Sequence, residues 1–179
     1  CQALNVAPDQ KYEADGGPAL ADCFGLVRRH VTPPAKAIGA LLDWVIFNAL
    51  VGNADAHAKN LSLLLRDDGP ALAPFYDLLC TAAWGDLTER LAMKIGGESR
   101  PDWIQQRHWQ RFAEACGLNW RLVRDRLRGT AQRLPGMAAT VRKKIEAEAG
   151  TAPILPAIET VIEARCSRVL ERVRHSGSK

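Results

Sequence analysis

The five cysteines, Cys1, Cys23, Cys80, Cys116 and Cys166, form no C-x-x-C pair, are odd in number, and have no histidine beside them at metal-ligand spacing. That argues against a zinc site and a disulfide framework; reduced thiols that mostly pack, in a cytosolic protein, are expected instead. No apolar run approaches the roughly 18 residues of a membrane span, and no basic-then-apolar leader opens the chain. Internal repeats and low-complexity tracts are missing. So are a G-x-G-x-x-G or Walker loop and a V-A-I-K-like strand lysine. What remains is 179 residues, 47% hydrophobic, enough for the core of one ordinary domain. The sequence opens at Cys1 directly in polar residues, so the numbering is expected to begin inside a longer protein.

Charge is unevenly distributed. The net charge of +4 hides a stretch, residues 100–144, with 11 basic and 3 acidic side chains. Such a stretch suits an acidic partner such as nucleic acid, and equally a solvated helix surface.

A helix is expected from Thr32 as N-cap, with Pro33 in its first turn, because Ile38, Leu41, Leu42, Val45, Ile46 and Ala49 recur at helical spacing; Gly52 should stop it. A polar run, 52–60, follows. Leu61 to Leu65 then reads as a strand, Asp68-Gly69 as a two-residue turn, and Ala71 to Tyr76 as the returning strand, a register that sets Asn60 opposite Asp77. Leu91 to Ile95 should be extended. Four helices are expected beyond: Trp103 to Cys116 capped by Asp102, Trp120 to Leu134 ending before Pro135-Gly136, Met137 to Ala149, and Ala157 to Val173 after a break at Pro153 and Pro156. The expected class is mainly α, a helical lobe with one small inserted hairpin.

Hard oxygen donors cluster around that hairpin. In Gly52-Asn53-Ala54-Asp55-Ala56-His57-Ala58-Lys59-Asn60 the step from Asp55 to Asn60 is that of the D-x-x-x-x-N catalytic loop of protein kinases, and Asp77 follows the hairpin. Phosphoryl transfer asks for little else: a carboxylate to orient or deprotonate a hydroxyl, and oxygens to hold Mg²⁺ on the phosphates. Taken singly, each also suits a plain role, Asp55 and Asp77 as turn caps and Asn60 as a left-handed loop residue. His57 suits a structural hydrogen bond, Lys59 a solvated surface, and Asp15-Gly16-Gly17-Pro18 a tight turn.

The run Phe47-Asn48 through Gly52 to Ser62, with Ala73-Pro74-Phe75-Tyr76-Asp77-Leu78-Leu79-Cys80-Thr81, resembles the HipA family of toxin kinases. Lys11 to Pro18 and Met93 to Glu98 are also similar to segments of that family, so the resemblance spans about residues 1–117. It implies a protein-kinase-like C-terminal lobe over residues 1–179, whose N-terminal lobe would precede Cys1. It further implies ATP and Mg²⁺ as cofactors, with Asp55 as catalytic base, Asn60 and Asp77 as metal ligands, and His57 and Lys59 on the cofactor side. A protein Ser/Thr substrate, such as an aminoacyl-tRNA synthetase, and a DNA-binding antitoxin are the implied partners. A non-catalytic binding module using the basic 100–144 surface, and a small-molecule phosphotransferase, are the other functions these residues allow.

Overall fold

The apolar helix expected after Thr32 is the central element, α1 being a helix that precedes it. In the computed structural model, which describes residues 1–7 and 9–173, helices α1 (Leu20–His30) and α2 (Pro34–Val51) lead into a hairpin of β1 (Leu63–Arg66) and β2 (Gly69–Leu72). Helices α3 (Gln106–Ala115), α4 (Trp120–Ala149) and α5 (Ile154–Arg172) follow. The mainly α lobe with one small antiparallel pair is thus observed.

Leu41, Leu42, Ile46 and Leu50 of α2 are almost wholly buried, and Trp44, Val45 and Val51 nearly so. Pro33, not Thr32, occupies the N-cap position, and Gly52 ends the helix in the left-handed region at φ 83°. A Cβ on Gly52 would lie 2.9 Å from Val161 Cγ1 and 3.0 Å from Ala82 Cβ, so close packing as well as backbone conformation requires glycine. By length and composition α2 is long and apolar enough to cross a membrane, contrary to the sequence expectation, but half of it is buried inside this fold as the core helix.

Helix α1 was not among the expected elements, although Leu20, Cys23, Phe24 and Val27 recur at i, i+3, i+4 and i+7 and are all buried. Its carboxyl end is tied to α3 by Arg28, whose guanidinium donates to the Cys116 carbonyl at 2.8 Å. Phe24 meets Phe112 of α3 edge-on at 5.8 Å, and Phe112 meets Trp109 in the same way. Helix α3 begins at Gln106, later than Trp103, because Pro101–Trp103 makes a separate 3₁₀ turn. Buried His108 accepts from the Gln105 amide at 2.9 Å and so supplies the cap expected of Asp102. Asp102 instead receives Arg168 of α5.

One continuous helix, α4, replaces the two expected around Pro135. A proline removes a single backbone donor, here the one that would reach the Ala131 carbonyl. The buried face of Val123, Leu127, Ala131 and Leu134 runs up to that point, and α5 packs alongside. Arg142 bonds Glu146 of its own helix at 2.9 Å and Glu159 of α5 at 2.6 Å, which joins the two beyond the proline. Asn119 caps the start by accepting from the Arg121 amide at 2.9 Å. Helix α5 starts at Ile154, ahead of the expected Ala157, since Pro156 falls in the first turn where its missing N–H costs nothing.

The hairpin pairs Leu63 with Leu72, Leu64 with Ala71, Leu65 with Pro70 and Arg66 with Gly69. Its loop is therefore Asp67-Asp68, one residue earlier than expected, and strand pairing ends at Leu72. Pro70 is tolerated because both members of a two-stranded sheet are edge strands. Leu91–Ile95 is mostly irregular, with one bridge from Ile95 to Glu98.

Candidate active site

The polar run after α2 is held in place by buried amides and a hydroxyl. Asn48, in the last turn of α2, donates to the Trp44 carbonyl at 2.8 Å, and its own Oδ1 accepts from Asn53 Nδ2 at 2.8 Å. Asn53 also donates to the Asp77 carbonyl at 2.9 Å, and its Oδ1 accepts from the Asp55 amide at 3.2 Å. One buried side chain thus couples the helix end, the loop and the segment after the hairpin. Thr81 adds a second link, its hydroxyl donating to the Gly52 carbonyl at 3.1 Å and accepting from the Ala54 amide at 2.8 Å. Behind the loop, buried Arg165 donates to Glu89 at 3.1 Å and reaches the Ala49 carbonyl at 3.5 Å; burial lowers its pKa, and Glu89 opposes that.

Asp55 is half-exposed at the loop's mouth, and three groups gather on its Oδ1. Tyr12 Oη donates to it at 2.9 Å, Lys11 Nζ lies 3.5 Å away and His57 Nε2 3.8 Å away. The Lys11 ammonium also sits over the Tyr12 ring, 4.6 Å from its centroid. Its pKa is raised, chiefly by the Tyr12 hydroxyl and further by Asp55, against a lowering from burial. His57 is 5% exposed, and burial holds it below the usual histidine value despite the nearby Asp55 charge, so it is neutral at pH 7.

Asn60 and Asp77 meet as the spacing argument expected, although the register that motivated it is shifted. Asn60 Nδ2 donates to Asp77 Oδ2 at 2.6 Å, while Asn60 Oδ1 accepts from the His57 amide at 2.8 Å. Asp77 has φ 58°, a left-handed conformation in a residue other than glycine, which costs about 1–2 kcal/mol. The Asn53 bond to its carbonyl and the Asn60 bond to its carboxylate hold it there. Lys59 is exposed; its carbonyl accepts from the Tyr76 hydroxyl.

Among the described residues no group of three His, Cys, Asp or Glu side chains could hold a metal. The donors present are a carboxylate and an amide oxygen, and Mg²⁺ commonly takes one or two protein ligands when phosphates and water complete its shell. Asn60 Oδ1 keeps a second lone pair beside its bond from His57. The donor set therefore fits a phosphate-bound divalent cation.

Lys11, Tyr12, Asn53 and Thr81 were not singled out from sequence. All four are polar residues within the quoted segments, yet only the folded chain shows what they touch. The basic 100–144 stretch is partly paired within the fold. Arg124 pairs with Asp125, Arg126 with Asp43, and Arg142 with Glu146 and Glu159, while Arg128 donates to the Leu170 and Val173 carbonyls. The cysteines are free thiols, four of them buried, and burial pushes Cys23 and Cys116 up to about 12.

Comparison with known proteins covers the same ground. A putative kinase of Sinorhizobium fredii, Y4mE, is 49% identical over 127 residues, 71% of this chain and 30% of its own length. The serine/threonine-protein kinase toxin HipA of Shewanella oneidensis is 31% identical over 182 aligned positions, 95% of this chain and 42% of its own. A solved complex of Shewanella oneidensis HipA with HipB and operator DNA superimposes with a TM-score of 0.85 at 30% identity, covering 97% of this chain and 43% of that one. The chain thus spans less than half the length of these relatives. The sequence model of the HipA-like C-terminal domain matches residues 1–138, and with the relatives above it shows that this chain belongs to the HipA-like C-terminal domain family.

Proposed function

We propose that this chain is the C-terminal lobe of a kinase that transfers the γ-phosphate of ATP to a Ser or Thr hydroxyl of a protein. The observation that carries the reading is the 2.6 Å contact between Asn60 and Asp77, with Asp55 five residues before Asn60 on the same buttressed loop. Asp55 orients the acceptor hydroxyl and takes up its proton, which requires a partly solvated carboxylate, as this one is. Asn60 and Asp77 would hold Mg²⁺, which supplies neutralisation of the charge on the transferred phosphate. The His57 backbone N–H, which donates to Asn60 Oδ1, helps hold the loop, and exposed Lys59 is free to reach phosphate.

The phosphate cradle is incomplete in these residues, since no glycine-rich loop or strand lysine is present. The reading therefore assigns turnover to a longer, cytoplasmic polypeptide that contains this lobe. An antitoxin that binds operator DNA is its proposed partner, as HipB is in the superimposed complex. A component of translation, such as an aminoacyl-tRNA synthetase, is the proposed substrate. The paired state of Arg124, Arg126 and Arg142 weighs against the basic stretch as the main nucleic-acid surface.

The experiment is phosphoryl transfer from labelled ATP by the full-length protein and its Asp55→Asn and Asp77→Asn variants. Both should be inactive while folded; full activity in either one removes the assignment.

A further inference from the structure

The turn expected at Asp15-Gly16-Gly17-Pro18 closes an arm, residues 11–17, that is laid across the loop. Glu13 donates its amide to the Ala92 carbonyl at 3.0 Å, and its Oε2 accepts from the Lys94 amide at 2.6 Å. Ala92 in turn donates to the Ala54 carbonyl at 2.8 Å, so arm, connecting segment and loop are bonded in series. The arm folds back on itself, with the Gly17 amide donating to the Tyr12 carbonyl at 2.8 Å. A Cβ on Gly17 would lie 2.5 Å from the Gln10 carbonyl oxygen and 2.7 Å from that of Tyr12, so this return is open only to glycine. The Tyr12 ring is also braced against the buried His57 ring at 5.8 Å.

We infer that Tyr12 and Lys11 are positioning residues for the Asp55 carboxylate, holding Oδ1 so that Oδ2 faces the acceptor hydroxyl. The inference rests on the reading of Asp55 given above. Every close polar group at that carboxylate, the Tyr12 hydroxyl at 2.9 Å, Lys11 Nζ at 3.5 Å and His57 Nε2 at 3.8 Å, is directed to the same oxygen. Among the described residues, Oδ2 receives no hydrogen bond, and the side chain remains 44% exposed. A carboxylate rotates freely about its last torsion unless one oxygen is held. Fixing Oδ1 raises the share of time in which Oδ2 points outward, an orientational effect that acts on the chemical step and not on nucleotide binding. Tyr12 makes the shorter, directional contact; Lys11 is a longer and partly screened one.

The test uses the full-length polypeptide with ATP and a Ser/Thr peptide library as acceptor. Tyr12→Phe keeps the ring and its contacts with Lys11 and His57 and removes only the hydroxyl. It should lower kcat about 10-fold with KM for ATP within about twofold, and Lys11→Met should lower kcat by a smaller factor. A crystal structure of Tyr12→Phe should show the Asp55 carboxylate turned or split between orientations. A carboxylate unmoved in that variant overturns the inference, as does wild-type kcat in Tyr12→Phe when Asp55→Asn is inactive. Wild-type transfer by Asp55→Asn overturns instead the catalytic reading, and the role of Tyr12 with it.

Discussion

Residues 52–81 and the helices behind them are held by different forces. In the loop region, buried side-chain amides and hydroxyls do the joining: Asn48, Asn53, Asn60 and Thr81 each make at least two bonds at defined distances. Among the helices, Phe24, Leu41, Ile46, Phe112 and Leu127 interlock by shape, and the polar links are mostly arginines reaching carbonyls or carboxylates at the edges. Directional bonds set atoms to within a few tenths of an ångström but fail completely when one partner goes. Close packing tolerates a proline in α4 yet penalises every lost methyl group. The molecule places precision where chemistry is proposed and bulk cohesion elsewhere.

Substitutions should separate the two regions by what they damage. The largest effect is expected from Asp77→Asn in the full-length protein: transfer from ATP should fall more than about 100-fold, with little change in thermal melting. Loss of stability in parallel with activity would show that Asp77 serves the fold. On the packing side, Phe112→Ala empties the centre of the aromatic cluster and should cost about 3–5 kcal/mol in denaturant unfolding.

Asn53→Ala tests the joint itself. It strands the Asn48 Oδ1 and the Asp77 carbonyl, so stability should drop about 1–3 kcal/mol while activity falls further than Phe112→Ala lowers it at equal folded fraction. Equal activity per folded molecule in the two variants would mean that the loop and the helical core do not differ in this way.

Smaller effects fall within the bundle. Pro135→Ala restores a donor in mid-helix and should stabilise the protein by about 1 kcal/mol; destabilisation would mean that α4 and α5 are shaped around the proline. His108 should give the mildest signature. Burial, aided by Arg107, lowers its pKa in the folded state, so the unfolded chain binds the proton more readily. Stability should be full above the unfolded value of about 6.5 and decline as pH falls through it toward the folded value. His108→Gln should flatten that decline in pH-dependent melting.

Much of the fold was legible where one local signal dominates. The apolar period of Leu41, Leu42, Val45 and Ile46, stopped by Gly52, marks α2 because no competing pattern overlaps it. Pro135 misled for the opposite reason: its local helix-breaking signal is outweighed by the packing of α4 on α5 and the Arg142 link, which a linear reading does not contain. The hairpin loop moved by one residue, and each cross-strand partner by two, since Asp68-Gly69 and Asp67-Asp68 offer nearly equivalent turns beside Pro70. Asn60 nevertheless met Asp77, because the bond between their side chains spans the slack left by the strands.

Residue type and spacing alone determined that two aspartates and an asparagine of metal-binding chemistry lie near one hairpin, since five positions on a short loop and one turn confine them to a small volume. Which groups meet Asp55 was decided only by tertiary structure. Tyr12 and Lys11 lie more than forty residues away in the chain, and their approach depends on backbone bonds through Ala92 and on the Gly17 return, contacts whose energies exist only after the helical core has brought those segments together.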